Sequence, residues 1–192
     1  MGSGIVVAAI VGALAVLLVI VFAWAIVTYN RLVRLRTQVE ASWAQIDVQL
    51  KRRHSLIPNL VETVKGYAAH ERRTLEAVTA ARGTAVSVPG QGPAQQAAAE
   101  GALTQALGRL FALAEAYPDL KANTNFLALQ AELGGTEDKI AYARQFYNSA
   151  TQTLNEAIQT IPTNLVAGTA GFRTQPYFEA AVGERQDIAV RF

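Results

Sequence analysis

Hydrophobic positions change their spacing several times along this chain, and each spacing predicts a different kind of element. From Ile5 to Val27 they are continuous: twenty-three residues carry no charge and nothing more polar than Gly12. At about 1.5 Å per residue such a helix spans roughly 35 Å, enough to cross a hydrocarbon core of about 30 Å with some tilt. From Thr28 the run gives way to apolar residues at 32, 35, 39, 43, 46, 50, 57, 61, 64, 68, 75 and 78. That three-and-four stepping is one helix face seeking a partner. It predicts a long helix to Arg82, interrupted only at Pro58, whose missing N–H leaves the carbonyl of His54 without a helical donor. The apolar face resumes at Leu60, Val61 and Val64, so the proline bends the helix or divides it into a kinked pair.

Gly83 to Gly92, followed by Pro93, loses the period and reads as a loop. Ala94 to Tyr117 restores it, with Leu103, Leu107, Leu110 and Ala114 on one face and Pro118 as the stop. Between Asp119 and Ile161, Phe126, Leu133, Ile140, Tyr147, Leu154 and Ile161 recur every seven residues. Mostly small residues (Leu129, Thr136, Ala143, Ala150, Ala157) follow each by three, a pattern suited to close packing of helices running in opposite directions. Gly134-Gly135 weakens that helix by roughly 2 kcal/mol relative to two alanines, which predicts a local bend. After Pro162 the helical period ends, broken by Gly168, Gly171, Pro176 and Gly183.

The expected fold is therefore all-α. A short tail (1–4) precedes a single transmembrane helix (5–27), a long antiparallel helical bundle (28–162) and an extended, irregular C-terminal tail (163–192). A cleaved signal peptide competes for the first helix, because Ala23-Trp24-Ala25 fits a small-x-small site. The lack of a basic residue before the run, and its length, favour an uncleaved anchor. Arg31, Arg34 and Arg36 follow the run and none precedes it, so the positive-inside bias places the N-terminus outside and the bundle in the cytoplasm.

Charge refines this picture. Residues 28–82 hold ten Lys/Arg against five Asp/Glu, whereas residues 83–192 hold seven against ten. The membrane-proximal part is thus basic and the distal part acidic. Two readings stay open: a basic patch facing anionic lipid, or basic and acidic helices packed side by side. Lys51, Arg52, Arg53 and His54 form the densest basic run and are the candidate partner or lipid surface, with His54 read as a surface histidine. They lie about 30 Å along the helix from Arg31, so contact with the same bilayer would require the stalk to lie down. Three cations without interleaved aromatics are a weak nucleic-acid signal, and no nucleic-acid partner is expected.

Reactive chemistry is sparse. With no cysteine there is no disulfide, thiolate nucleophile or Cys-ligated metal. His54 and His70 lie too far apart to pinch one ion, and no phosphate-binding glycine loop or serine nucleophile elbow is present. Glu132, Glu137, Arg144 and Asn148 could form a polar cluster, read either as solvated i, i+4 pairing or as a structural network between helices. No catalytic, cofactor or metal residue is assigned. Phe172, Tyr177 and Phe178 are the apolar anchors of the tail and the candidate oligomer contacts.

Several blocks, in order, carry a family resemblance: Tyr29-Asn30-Arg31-Leu32-Val33-Arg34-Leu35-Arg36, Ser42 to Leu60, and Val61-Glu62-Thr63-Val64-Lys65-Gly66-Tyr67-Ala68. Tyr117-Pro118-Asp119-Leu120-Lys121-Ala122, Ile140-Ala141-Tyr142-Ala143-Arg144, Gly171-Phe172 and Tyr177-Phe178-Glu179 continue it. Together they resemble the LemA family of bacterial membrane proteins. The resemblance implies one N-terminal transmembrane helix, a long helical bundle, and association with envelope or internal-membrane organisation. It supplies no catalytic residues. Gly134-Gly135 stands where the family more often has helix-forming residues. The expected function is a non-enzymatic membrane scaffold in the bacterial inner membrane, partnered by lipids and by further copies of itself. An adaptor docking another membrane protein is the alternative.

Overall fold

The computed structural model describes residues 2–178, with the side chain of Ile5 and the exposure of Gly2 outside that description. Six helices follow one another: α1 (Gly2–Tyr67), α2 (Arg72–Ser87), α3 (Pro93–Ala114), α4 (Pro118–Lys121), α5 (Thr124–Gln159) and α6 (Thr163–Thr169). No strand occurs among the described residues, as the repeating three-and-four pattern predicts. Contacts divide the chain into two compact units, one holding residues to Ala41 with Ser149–Gln175 and the other Ser42–Asn148 with the segment from Pro176.

In the first unit the opening of α1 is apolar on every side, and side chains 6–24 are exposed throughout. This is a helix long and apolar enough to cross a membrane. From Thr28 the same helix buries one stripe, Thr28, Leu32 and Val39, in a unit whose other buried side chains include Ala150, Thr151 and Leu154 of α5 and Ala167 of α6. The Tyr29 and Phe172 rings meet edge to face at 5.8 Å. The short helix α6 was not apparent in the sequence. It closes on Gly171 at φ +74°, with Gly171 N–H donating to Gly168 O and Phe172 N–H to Ala167 O. Those two bonds are the Schellman stop that a left-handed glycine permits.

The second unit has a core drawn from α1 to α5, with Leu60, Val64, Leu103, Leu110, Leu120 and Phe126 almost wholly buried. Phe111 and Phe126 meet edge to face at 6.2 Å. Contacts fall in a regular order: Trp43 with Tyr147, Arg53 with Glu137, and Tyr67 with Asn123. In these three pairs the number on α1 rises as its partner's number falls.

Several expected boundaries move. The first long helix stops at Tyr67, not at Arg82, and a tight turn over 68–71 carries a Glu71 N–H to Ala68 O bond. The buried stripe hid this turn, because Ala68 and Leu75 face the same core from either side of it. Helix α1 runs unbroken through Pro58, and α5 runs unbroken through Gly134-Gly135. Helix α2 passes Gly83 and reaches Ser87, so the loop narrows to 88–92, where Gly90 and Gly92 hold positive φ. The segment expected as one helix from Asp119 divides at Ala122–Asn123. Pro118 occupies the first turn of α4, and the Asn123 side-chain oxygen accepts the Phe126 N–H to cap α5. Ile161 departs from its seven-residue series: α5 ends at Gln159, and Ile161 lies in the following turn, 78% exposed.

Candidate functional site

The least expected feature of the second unit is a charged network inside it. Arg53 and His54 of α1 are only 3% and 8% exposed, which corrects the reading of His54 as a surface residue. A basic run that fits a solvated face is split by helical geometry, since successive residues point about 100° apart. Lys51 and Arg52 stay outside, Arg52 standing 3.9 Å from Glu132 on α5. Arg53 and His54 turn inward.

Glu100 of α3 receives them. Its Oε1 lies 2.8 Å from His54 Nε2 and accepts Gln96 Nε2–H at 2.9 Å, while Oε2 accepts from Arg53 at 3.4 Å. Arg53 also donates to Thr104 Oγ1 at 2.7 Å and pairs with Glu137 of α5 at 3.2 Å. Gln96 donates to the carbonyl of Ala85 on α2 at 3.4 Å. Four helices therefore share one set of charge-assisted bonds, the arrangement that buried ions require.

Pro58 has its compensation here. The proline frees the His54 carbonyl, and Arg82 of α2 donates its Nε–H to that oxygen at 2.7 Å. An arginine thus takes the place of the missing helical donor, which is how α1 continues through a proline with the acceptor still satisfied.

Two ionisations depart from the ordinary. Partial burial pushes the Asp47 carboxyl up, the Lys51 ammonium partly opposing it. A raised carboxyl contributes most stability below the ordinary value and loses it as pH climbs through the raised one, so the Asp47 carboxylate is a net cost near neutrality. Tyr117 is pushed up by its hydrogen bond to Glu71, whose carboxylate it reaches at 3.1 Å.

The tail provides a second polar motif. In the first unit Asn155 accepts the Gln175 N–H at 2.8 Å and donates to the Gln175 carbonyl at 2.9 Å. In the second unit Asn148 treats Phe178 the same way, at 2.9 and 3.0 Å, and Tyr147 O–H donates to the Pro176 carbonyl at 2.9 Å. Phe178 is buried, its ring 5.6 Å from Trp43. Of the three aromatics expected to reach another copy, Phe172 and Phe178 are engaged within their own units, and Tyr177 is exposed. The reason is chemical: an asparagine amide offers a donor and an acceptor at the spacing of one residue's N–H and C=O, so α5 holds the tail by its backbone.

The cluster expected of Glu132, Glu137, Arg144 and Asn148 is divided, Glu137 pairing with Arg53 and Asn148 holding the tail, and Gln96, Glu100, Thr104 and Arg82 were missed. A signal was present: Gln96 stands seven residues before Leu103, and Glu100 seven before Leu107, both core positions. Among the described residues no three histidine, aspartate or glutamate side chains come together as a metal-binding group. The network's oxygens accept from neighbouring side chains, an arrangement that fixes helices to one another.

Known proteins match along most of this length. The sequence model of the LemA family matches residues 42–192. Magnetosome protein MamQ 2 of Paramagnetospirillum magneticum is 29% identical, the match covering 86% of this chain and 70% of that protein. Magnetosome protein MamQ of Magnetospirillum gryphiswaldense is also 29% identical, over 78% of this chain and 64% of its own. Protein LemA of Metamycoplasma hominis is 28% identical, over 83% and 72% respectively.

Proposed function

The chain belongs to the LemA family, and on that footing we propose that it is a membrane-anchored, non-enzymatic scaffold that self-assembles and organises the bacterial membrane or envelope. The observation that carries this reading is α1. One helix of 66 residues bears both the outward-facing apolar stretch and, further on, the buried stripe of a helical core. Bilayer lipid is the partner that such a stretch fits. The names of the matched relatives, a magnetosome protein and Protein LemA, are not enzyme names and support a structural role. The proposed location is the bacterial inner membrane with the N-terminus outside.

The adaptor alternative drew on a basic docking face, and the burial of Arg53 and His54 leaves only Lys51 and Arg52 to form one. The deciding measurement is the mass of the full chain in detergent across a range of concentrations. Concentration-dependent dimers or larger species are expected. A monomer at every concentration, with crosslinking in cells that recovers a different membrane protein, overturns the scaffold in favour of the adaptor.

A further inference from the structure

Between α1 and α5, wholly within the second unit, lies an open groove of about 750 Å³. Ala44 and Val48 line one wall, and Gly135, Asp138, Lys139 and Tyr142 line the other. Three observations bear on what fills it. Tyr142 stands at its rim 74% exposed and Val48 is 61% exposed, more than any other large apolar or aromatic side chain between Ser42 and Asn148. Gly134 and Gly135 weaken α5, yet a Cβ at either would meet open space, so nothing described within this chain requires glycine there. Asp138 and Lys139 are exposed, of opposite charge and adjacent, and neither has an ion-pair partner among the described residues.

We propose that this groove is the contact between two copies of the chain, paired about a two-fold axis that passes between Asp138 and Lys139 and crosses α5. Under that operation Asp138 faces the second copy's Lys139, and Lys139 its Asp138. Three residues further out on either side, Gly135 faces the second copy's Tyr142, and Tyr142 its Gly135. Charge thus meets opposite charge and the largest side chain meets the missing one, both at the same register. A two-fold contact must be self-complementary in this sense. A parallel pairing of the same faces would oppose tyrosine to tyrosine and glycine to glycine, and the fit would be lost. Gly135 then has its reason: a tyrosine ring seats where a side chain would stand, which requires close backbone approach. The same operation reverses α1, so the copies it joins are anchored in two facing membranes; the inference rests on the self-assembly proposed above and names the face that performs it there.

Because the chain has no cysteine, each introduced thiol is unique. Full-length Gly135→Cys and Tyr142→Cys chains are purified in detergent, where either relative orientation of two copies is accessible, and oxidised separately and after mixing. A disulfide in the mixture is expected, with little in either chain alone. Within a pair, like thiols sit about 10 Å apart along the axis by helical rise, beyond disulfide reach. In parallel, Asp138→Lys and Lys139→Asp each raise the dimer dissociation constant several-fold, the double exchange restores it, and Tyr142→Glu raises it at least about tenfold. All four positions are exposed, so the variants keep the fold, which circular dichroism verifies. Disulfides in each chain alone but not across the mixture overturn the inference, as do dimers indifferent to all of these changes; self-assembly itself then stands. Monomers at every concentration overturn both.

Discussion

Glu100 occupies a position in α3 that the seven-residue spacing assigns to the core, and its carboxylate is the one anion that Arg53, His54 and Gln96 all address. Removing Glu100 leaves Arg53 with Glu137 and Thr104 alone, and takes from the His54 ring and the Gln96 amide the acceptor they share in a buried place. Glu100→Ala should therefore cost about 3–5 kcal/mol, while replacing the whole set with apolar residues of similar volume should cost far less. Urea unfolding of the full chain in detergent, followed by helical circular dichroism, measures both. An unchanged midpoint for Glu100→Ala would show that Arg53 does not depend on it. The same residue marks a limit of sequence reading. Lys51, Arg52, Arg53 and His54 look alike as a run, and only the helix phase relative to α3, a tertiary quantity, decides that two point inward.

At the scale of the element, the long helix through Pro58 is a joint product of two segments. The proline removes a donor from α1, and Arg82 of α2 restores one. Arg82→Ala should cost about 1–2 kcal/mol in the natural chain, the worth of a charge-assisted bond to a partly buried carbonyl. In a Pro58→Ala background the helix supplies its own N–H, and the same arginine change should cost much less. A double-mutant cycle reads that difference as a coupling energy, and additive costs would dissociate the two residues. Element existence was plain in the sequence because period and proline punctuation are local. The stops at Tyr67 and Lys121 were not. At the first, buried positions continue in phase across the turn; at the second, the Asn123 cap acts through a hydrogen bond that composition does not advertise. Helix α6 is likewise set by Gly171, whose role appears only with its positive φ.

For the whole molecule, the decisive physical fact is asymmetry of solvent. Side chains 6–24 are apolar and exposed, and the arginines that follow begin at Arg31. Moving those cations across a bilayer is unfavourable, so the proposed orientation keeps them, and the bundle, on the cytoplasmic side. A single cysteine at Ala69, exposed at the turn after α1, tests this in intact cells. Protection from a membrane-impermeant maleimide until the cells are permeabilised is expected, and immediate labelling would invert the orientation. The anchor and the bundle were the most readable parts of the chain, since each is written as a continuous pattern. The groove was not, because a solvent-facing glycine pair and a tyrosine seven residues later have no signature until α1 lies beside them.

The asparagine clamps have one more consequence. Asn155 grips Gln175 through its peptide N–H and carbonyl alone, so this contact is blind to what the side chain at 175 is. Such a position is free to drift under mutation while the register of the tail stays pinned, with a single forbidden letter. Proline has no N–H to give, and it alone would unseat the grip.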